Sequence, residues 1–340
     1  MAALLVAGTC GCSSEPPPRK AAESLVTRRA HALWRNGRPF RFVGVNCYRL
    51  AAYPEQSDEI FATFATNGVK VVRFWAFQYW CGPNGRDYAA LDALVGAARR
   101  HDVLLLPVLD NHWAACQFGG GVKSPEWYAA GWRDRPFGGA PLSYLDHLRA
   151  LAAHYRDEPQ IFAWQLVNEP EIYPESPDHF GALRRFARDA SAELKRADPN
   201  HLVSLGLLGG GQPSTSGWRF RELHDAAVID LVSAHDHAYI FEPLPGATGP
   251  GRPDSMFSGL DAARRLRKPF VVTESCIPLP WVGQDPARRA DLFRAKLDAF
   301  FRAGAAGYLL WNYEPVPESP CGFGPADPVW KHLADTARRL

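Results

Sequence analysis

Two glutamates stand where fold stability gives no reason to keep them. Glu169 follows the apolar run Ile161-Phe162-Ala163-Trp164-Gln165-Leu166-Val167, and Glu274 follows Phe270-Val271-Val272-Thr273. Both runs are short, rich in β-branched and aromatic residues, and closed by breakers, which is the pattern of fully buried strands. Carboxylates at the exits of two strands of one sheet can flank a single bond of a substrate. Such a pair cleaves glycosidic bonds: one group protonates the leaving oxygen while the other attacks the sugar or activates water. Taken singly, a glutamate at a strand end is an ordinary solvated rim residue, so the inference rests on the pair and on what surrounds it.

The elements that would position them recur along the chain. Strand patterns cover 40–46, 69–75, 103–109, 161–167, 202–207, 229–234, 270–273 and 307–311. Helical patterns lie between them, such as 286–302, with Phe293, Leu297, Phe300 and Phe301 on one face, and 178–197, with Leu183, Ala187, Ala190 and Leu194 in register. A last helix spans roughly 328–340. Eight strands alternating with eight helices predict a parallel sheet closed into an α/β (β/α)8 barrel, whose active site lies at the C-terminal ends of the strands. The long stretch 110–140, rich in Gly and Trp, should then be a loop on the catalytic face.

Reading along those strand ends gives a polar and aromatic ring. Strand one offers Asn46 and Cys47, strand two Arg73 and Trp75, and strand three Asp110, Asn111, His112 and Trp113. Strand four offers Asn168 and Glu169, strand six His235, Asp236 and His237 with Tyr239 close by, strand seven Glu274, and strand eight Trp311, Asn312 and Tyr313. Each has an ordinary structural use by itself. Their convergence on one face from at least six strands favours catalysis.

Composition bounds the remaining classes. Among 340 residues the net charge is +2 with both signs interleaved, which argues against nucleic acid or an anionic membrane as partner. Aromatics reach 12%, with 11 Trp, which suits surfaces that stack on sugar rings. No apolar stretch is long enough to span a bilayer. Met1 to Ser14 ends in small residues with Cys10 and Cys12, so residues 1–27 are expected to be an export leader, with lipidation of one of these cysteines, followed by a Pro-rich tether. Residues 28–340 form a single domain in this reading, expected to be monomeric. The other five cysteines fit no zinc spacing. In an exported chain they predict pairs Cys81–Cys116 and Cys276–Cys321, with Cys47 free.

Asn168-Glu169-Pro170, Glu274 on strand seven, Arg73 in Val71-Val72-Arg73-Phe74-Trp75, His235 and Trp311 together resemble the signature of glycoside hydrolase family 5, the cellulase and β-mannanase family of retaining barrels. The segments Phe42 to Tyr48, Arg73 to Phe77, and Asn111-His112-Trp113 followed by Gly119-Gly120 resemble its endo-β-mannanase branch. The resemblance runs from about Gly37 to Tyr313. It implies Glu169 as general acid/base and Glu274 as nucleophile. It also implies a substrate-binding set of Arg73, Trp75, His112, Asn168, His235, His237, Tyr239 and Trp311, with no cofactor and no metal. Arg73 would keep Glu274 ionised, while Glu169 would carry a raised pKa; Arg73→Ala should then cost catalysis far more than stability. The substrate would be β-1,4-mannan or glucomannan, with cellulose or another β-glucan, or a carbohydrate-binding barrel without turnover, as alternatives. One departure stands out: the family often has Tyr two residues after the strand-six His, where this chain has His237.

Overall fold

The computed structural model describes residues 25–115, 120–237 and 256–340. The expected pair of Cys81 with Cys116, the residues Cys10, Cys12, Gly119 and Tyr239, and nearly all of the expected leader lie outside the described residues.

The chain enters through an antiparallel sheet that the hydrophobic pattern does not announce, made of β1 (Thr27–Arg29), β2 (Ala32–Arg35) and β3 (Arg38–Phe40). Arg35 pairs with Arg38 across Asn36 and Gly37, both at positive φ, a two-residue turn whose backbone suits Asn-Gly. Val26, Leu33 and Phe40 pack onto Phe42, Leu104, Phe162 and Val271, residues at the starts of barrel strands. The sheet therefore plugs the end of the barrel opposite Glu169 and Glu274.

Eight parallel strands follow: β4 (Phe42–Asn46), β5 (Val71–Trp75), β6 (Leu104–Val108), β7 (Ala163–Gln165), β8 (Leu202–Ser204), β9 (Val232–His237), β10 (Phe270–Cys276) and β11 (Gly307–Leu310). Their order is β8-β7-β6-β5-β4-β11-β10-β9. Between β8 and β9 the ring closes through Leu231 N–H to Val203 O (3.1 Å), His235 N–H to Leu208 O (3.1 Å) and Ser204 Oγ to Ser233 Oγ (2.9 Å). Every residue of these eight strands is buried, as expected where helices cover the outside and side chains fill the inside. Close packing fixes Gly307, since a Cβ there would fall 2.3 Å from the Phe42 ring.

One helix follows each strand: α1 (Ser57–Thr66), α2 (Ala89–Arg100), α3 (Tyr144–Tyr155), α4 (Pro177–Ala197), α5 (Gly217–His224), α6 (Met256–Leu266), α7 (Pro286–Ala303) and α8 (Val329–Ala337). Their ends are written in the sequence. Asp285 caps α7 by accepting from the Ala287 and Arg288 N–H groups, Pro286 opens it, and Gly304 closes it at positive φ. Among the described residues no helix is long and apolar enough to cross a membrane.

Cys276, two residues beyond Glu274, is disulfide-bonded to Cys321, with Cα atoms 5.5 Å apart. Cys47 and Cys81 are buried and have no disulfide partner among the described residues. The bridge ties the end of β10 to the segment after β11, where Asn312 N–H also donates to Cys321 O (3.2 Å). Its sequence separation of 45 residues makes the loop closure worth about 4 kcal/mol on the chain-entropy estimate. The double substitution Cys276→Ala/Cys321→Ala is expected to lose stability of that order in a denaturant titration. A loss under roughly 1 kcal/mol would show that the bridge constrains the unfolded chain little.

Candidate active site

The four strand exits β4, β5, β7 and β10 meet around one guanidinium. Arg73 on β5 has no exposed surface, and each of its nitrogens is engaged. Nε donates to Gln165 Oε1 (2.7 Å), Nη1 to Asn46 Oδ1 (2.9 Å) and to Glu274 Oε1, and Nη2 to Asn168 Oδ1 (2.6 Å). Its Cζ lies 4.8 Å from the Trp75 ring centroid. Asn46 is held in turn by donating Nδ2 to Thr273 O (2.9 Å) and Leu310 O (3.2 Å). The nucleophile candidate thus sits in a rigid, charge-paired cradle in which one carboxylate oxygen is committed to Arg73.

Glu169 reaches the same space by a backbone contortion. Its φ is +47°, in the left-handed region that costs a non-glycine residue roughly 1 kcal/mol or more. Its N–H donates to Gly206 O (2.9 Å). Gly206 has φ +86°, and a Cβ there would lie 2.4 Å from Val167 O, so the strand carrying Glu169 requires glycine beside it. Trp113 Nε1 donates to Glu169 Oε2 (2.8 Å). The loop bearing Trp113 is anchored by Asn111, whose Oδ1 accepts from Asn168 Nδ2 (3.0 Å), and by buried Lys123, which pairs with Asp110 (2.9 Å) and donates to Asn111 O (2.6 Å).

Two histidines of β9 stand between the glutamates. His235 Nδ1 lies 2.8 Å from Glu169 Oε1 and 3.6 Å from Glu274 Oε2, while His237 Nε2 lies 3.1 Å from Glu274 Oε2 and 3.6 Å from Glu169 Oε1. One oxygen of each carboxylate lies within 4.8 Å of the other. That spacing is near the about 5–5.5 Å of retaining glycosidases and far from the roughly 6.5–9.5 Å of inverting ones.

The electrostatics differ from the sequence expectation at Glu169. Burial pushes the Glu274 carboxyl up, but His235, Arg73 and His237 outweigh it and hold it below the usual carboxylate range. Burial pushes Glu169 up as well. Hydrogen bonds with His235 and His237 outweigh that, so Glu169 is held well below the usual range rather than raised. Burial disfavours a charged His237, yet its bonds to Glu169 and Glu274 prevail and lift it to about 9. Burial keeps His235 lowered despite the same carboxylates. These shifts favour a proton on His237 over one on Glu169 in the free protein, because this chain places a basic ring between the carboxylates.

The other expected residues divide into two groups. Trp311 and Glu169 keep partial exposure, and Asn168, Glu274 and His237 each keep a few per cent of theirs. Trp311 stacks on Tyr48, with ring centroids 5.3 Å apart. Arg73, Trp75, His112 and His235 are fully buried, behind the residues that keep some exposure. Trp75 stacks on Phe77 (5.1 Å) and backs Trp311 (5.8 Å). His112 meets the Tyr128 hydroxyl (3.0 Å) and packs edge-on to Trp113; burial, with Lys123 nearby, pulls its pKa down to about 4, so it is neutral filling behind the donor to Glu169. Trp113 and Asn111, read at the exit of strand three but not in the substrate-binding set, meet Glu169 and Asn168, and Gln165, not read as a site residue, meets Arg73. Gln165 carried a signal, being a polar residue inside an otherwise apolar buried strand.

A closed parallel barrel with two carboxylates converging at the C-terminal ends of its strands, one locked to a buried arginine, defines a barrel of the glycoside-hydrolase class. Residues 144–240 match the family described as GH family 5 beta-mannosidase-like. The chain is 29% identical over 330 residues to mannan endo-1,4-beta-mannosidase 7 of Arabidopsis thaliana, covering 82% of this chain and 75% of that one. Its fold is that of the endo-1,4-beta-mannanase of Rhizomucor miehei, with TM-score 0.73 and 18% identity over 93% of this chain and 100% of that one. The endo-beta-1,4-mannanase of Thermotoga petrophila aligns with TM-score 0.72 and 20% identity over 89% and 77% of the two chains. The matched segment and these relatives support an assignment to glycoside hydrolase family 5.

Proposed function

We propose that the protein is a retaining endo-β-1,4-mannanase acting on mannan or glucomannan, with Glu274 as nucleophile and Glu169 as general acid/base. The asymmetry between the carboxylates carries the assignment of roles. Glu274 is nearly enclosed and bonded to Arg73, which suits an anion that must stay charged. Glu169 is more open and faces Trp113 and the histidines, which suits a group that exchanges protons.

In the first step a Glu274 oxygen attacks the anomeric carbon as its bond to the glycosidic oxygen breaks, and Glu169 delivers a proton to that oxygen. In the second step Glu169 takes a proton from water, whose oxygen attacks the anomeric carbon and releases Glu274. Asn168, oriented by Arg73 and Asn111, is placed to meet the sugar hydroxyl next to the anomeric carbon. Trp311 offers a face to the ring. Trp113 holds Glu169 in line through its other oxygen.

The proton used by Glu169 is stored on the coupled group of Glu169, Glu274 and His237. Entry of a sugar oxygen that can accept it, together with exclusion of water, moves it onto Glu169. The group holds this proton below about pH 9 and loses it as pH rises through that value, because His237 titrates there. The alkaline limb of kcat/KM on a soluble mannooligosaccharide is therefore expected near 9. A limb between 6 and 7 would place the proton on Glu169 alone.

Reducing-sugar release from mannan, glucomannan, cellulose and mixed-linkage glucan tests the substrate. Release of mixed oligosaccharides from mannan is expected. Turnover of cellulose with none of mannan would assign a glucanase, and release from none would assign a binding barrel. Export, with a lipid on Cys10 or Cys12, is part of the same proposal. It is supported by the small residues around those cysteines and by the Cys276–Cys321 bridge, which suits an oxidising compartment.

A further inference from the structure

Four donor atoms at the centre of the site point at one another. Glu169 Oε1, Glu274 Oε2, His235 Nδ1 and His237 Nε2 all lie within 4.8 Å of each other. Nitrogen and oxygen alternate around this ring, with neighbouring separations of 2.8, 3.6, 3.1 and 3.6 Å. A metal with bonds of about 2.0–2.2 Å sets its tetrahedral ligands roughly 3.3 Å apart. The four edges bracket that value, and the two cross separations, Glu169 to Glu274 and His235 to His237, lie within 4.8 Å, so an ion would draw these side chains slightly inward.

The remaining carboxylate oxygens are already engaged. Glu169 Oε2 accepts from Trp113, and Glu274 Oε1 from Arg73. Hydrogen bonds of this kind aim carboxylates at a bound ion from behind. The donor set is two imidazole nitrogens and two carboxylate oxygens. It suits Zn2+ and Cu2+, whereas Mg2+ and Ca2+ ask for six or more oxygens. Arg73, bonded to the other oxygen of Glu274, opposes a further cation and weakens the site.

We propose that these four residues form a reversible binding site for a divalent transition ion of the Zn2+ or Cu2+ type, and that the ion inhibits the protein by occupying the place of the glycosidic bond. Binding itself is independent of the catalytic reading; only the inhibition rests on it. The ion takes both carboxylates at once, so it and substrate exclude each other. His237 decides the matter. With an aromatic residue at that position only three donors remain.

Calorimetric titration of the full-length, chelator-treated protein with ZnCl2 tests the site. Absorption of bound Co2+ gives a second readout, since four-coordinate Co2+ shows visible bands that the octahedral aqueous ion lacks. One equivalent with micromolar Kd is expected, together with the four-coordinate spectrum and inhibition of mannooligosaccharide hydrolysis that is competitive and reversed by EDTA. His237→Tyr and His237→Gln should each weaken this equivalent at least ~10-fold, while His154→Gln, at an exposed histidine far from the cleft, should not. Zn2+ affinity unchanged in both folded His237 variants overturns the proposal, as does the absence of a one-equivalent isotherm in the parent. Tight binding without any hydrolysis of glycans would uphold the metal site and refute the hydrolase reading instead.

Discussion

Glu274→Ala is expected to abolish turnover, lowering kcat on a mannooligosaccharide by at least ~10^4-fold, the scale seen when a covalent nucleophile is removed. The reaction as derived has no second group that can take its place. Glu169 has Oε1 engaged with His235 (2.8 Å) and Oε2 with Trp113 (2.8 Å), and the histidines lie between the carboxylates. Removing Glu274 also leaves the Arg73 guanidinium buried without its carboxylate, so some loss of stability accompanies it. Glu274→Gln separates the two effects, because the amide still offers an oxygen to Arg73 but cannot form a labile glycosyl ester. It should be nearly as inactive and more stable than the alanine variant. Glu169→Ala differs from both. On a substrate with a good leaving group the glycosyl-enzyme still forms, and azide, which needs no general base, should restore part of the rate.

The second large effect is Arg73→Ala, and here the structure revises the simpler sequence expectation that catalysis suffers far more than stability. Arg73 is fully enclosed and bonded to Asn46, Gln165, Asn168 and Glu274. Its loss leaves Glu274 a buried carboxylate without its arginine and opens a cavity at the hub of four strands. The expected cost is about 3–5 kcal/mol of stability, as for breaking a buried ion pair, together with a fall in kcat of roughly 10^2–10^3-fold from lost preorganisation. Arg73→Lys keeps the charge but not the fork that holds several partners at once, so it should recover stability better than rate. Denaturant titration beside single-turnover kinetics checks both. Full stability with full loss of rate would mean that the four hydrogen bonds contribute little to the fold.

Much of this was legible in the chain because barrel strands are buried on both faces and read as apolar runs. All eight emerged, and so did the eight helices, whose stripes and caps are local. The errors came where burial is achieved by pairing rather than by apolar side chains. The pattern for β9 stops at Ala234, yet the strand runs on through His235, Asp236 and His237, paired with the end of β10. Asp236 survives there because Lys296 (2.7 Å) and the Tyr308 hydroxyl (2.7 Å) meet it from behind, a contact 60 or more residues distant in sequence. The entrance sheet was missed although Asn36-Gly37 announces its turn, because strands of three or four residues carry too little periodicity. Residue type also does not reveal facing. Trp75 and Trp311 both end strands, but only Trp311 keeps an exposed face. The inverted electrostatics of Glu169 follow from His237, whose distance to both carboxylates only the folded barrel sets.

Proton NMR of the first-formed product from a mannooligosaccharide, recorded before mutarotation, tests the central claim most directly. Two successive displacements at the anomeric carbon, the first by Glu274 and the second by water, must release the β-anomer first. An initial α-anomer would mean a single displacement by water, and Glu274 could not then be the nucleophile.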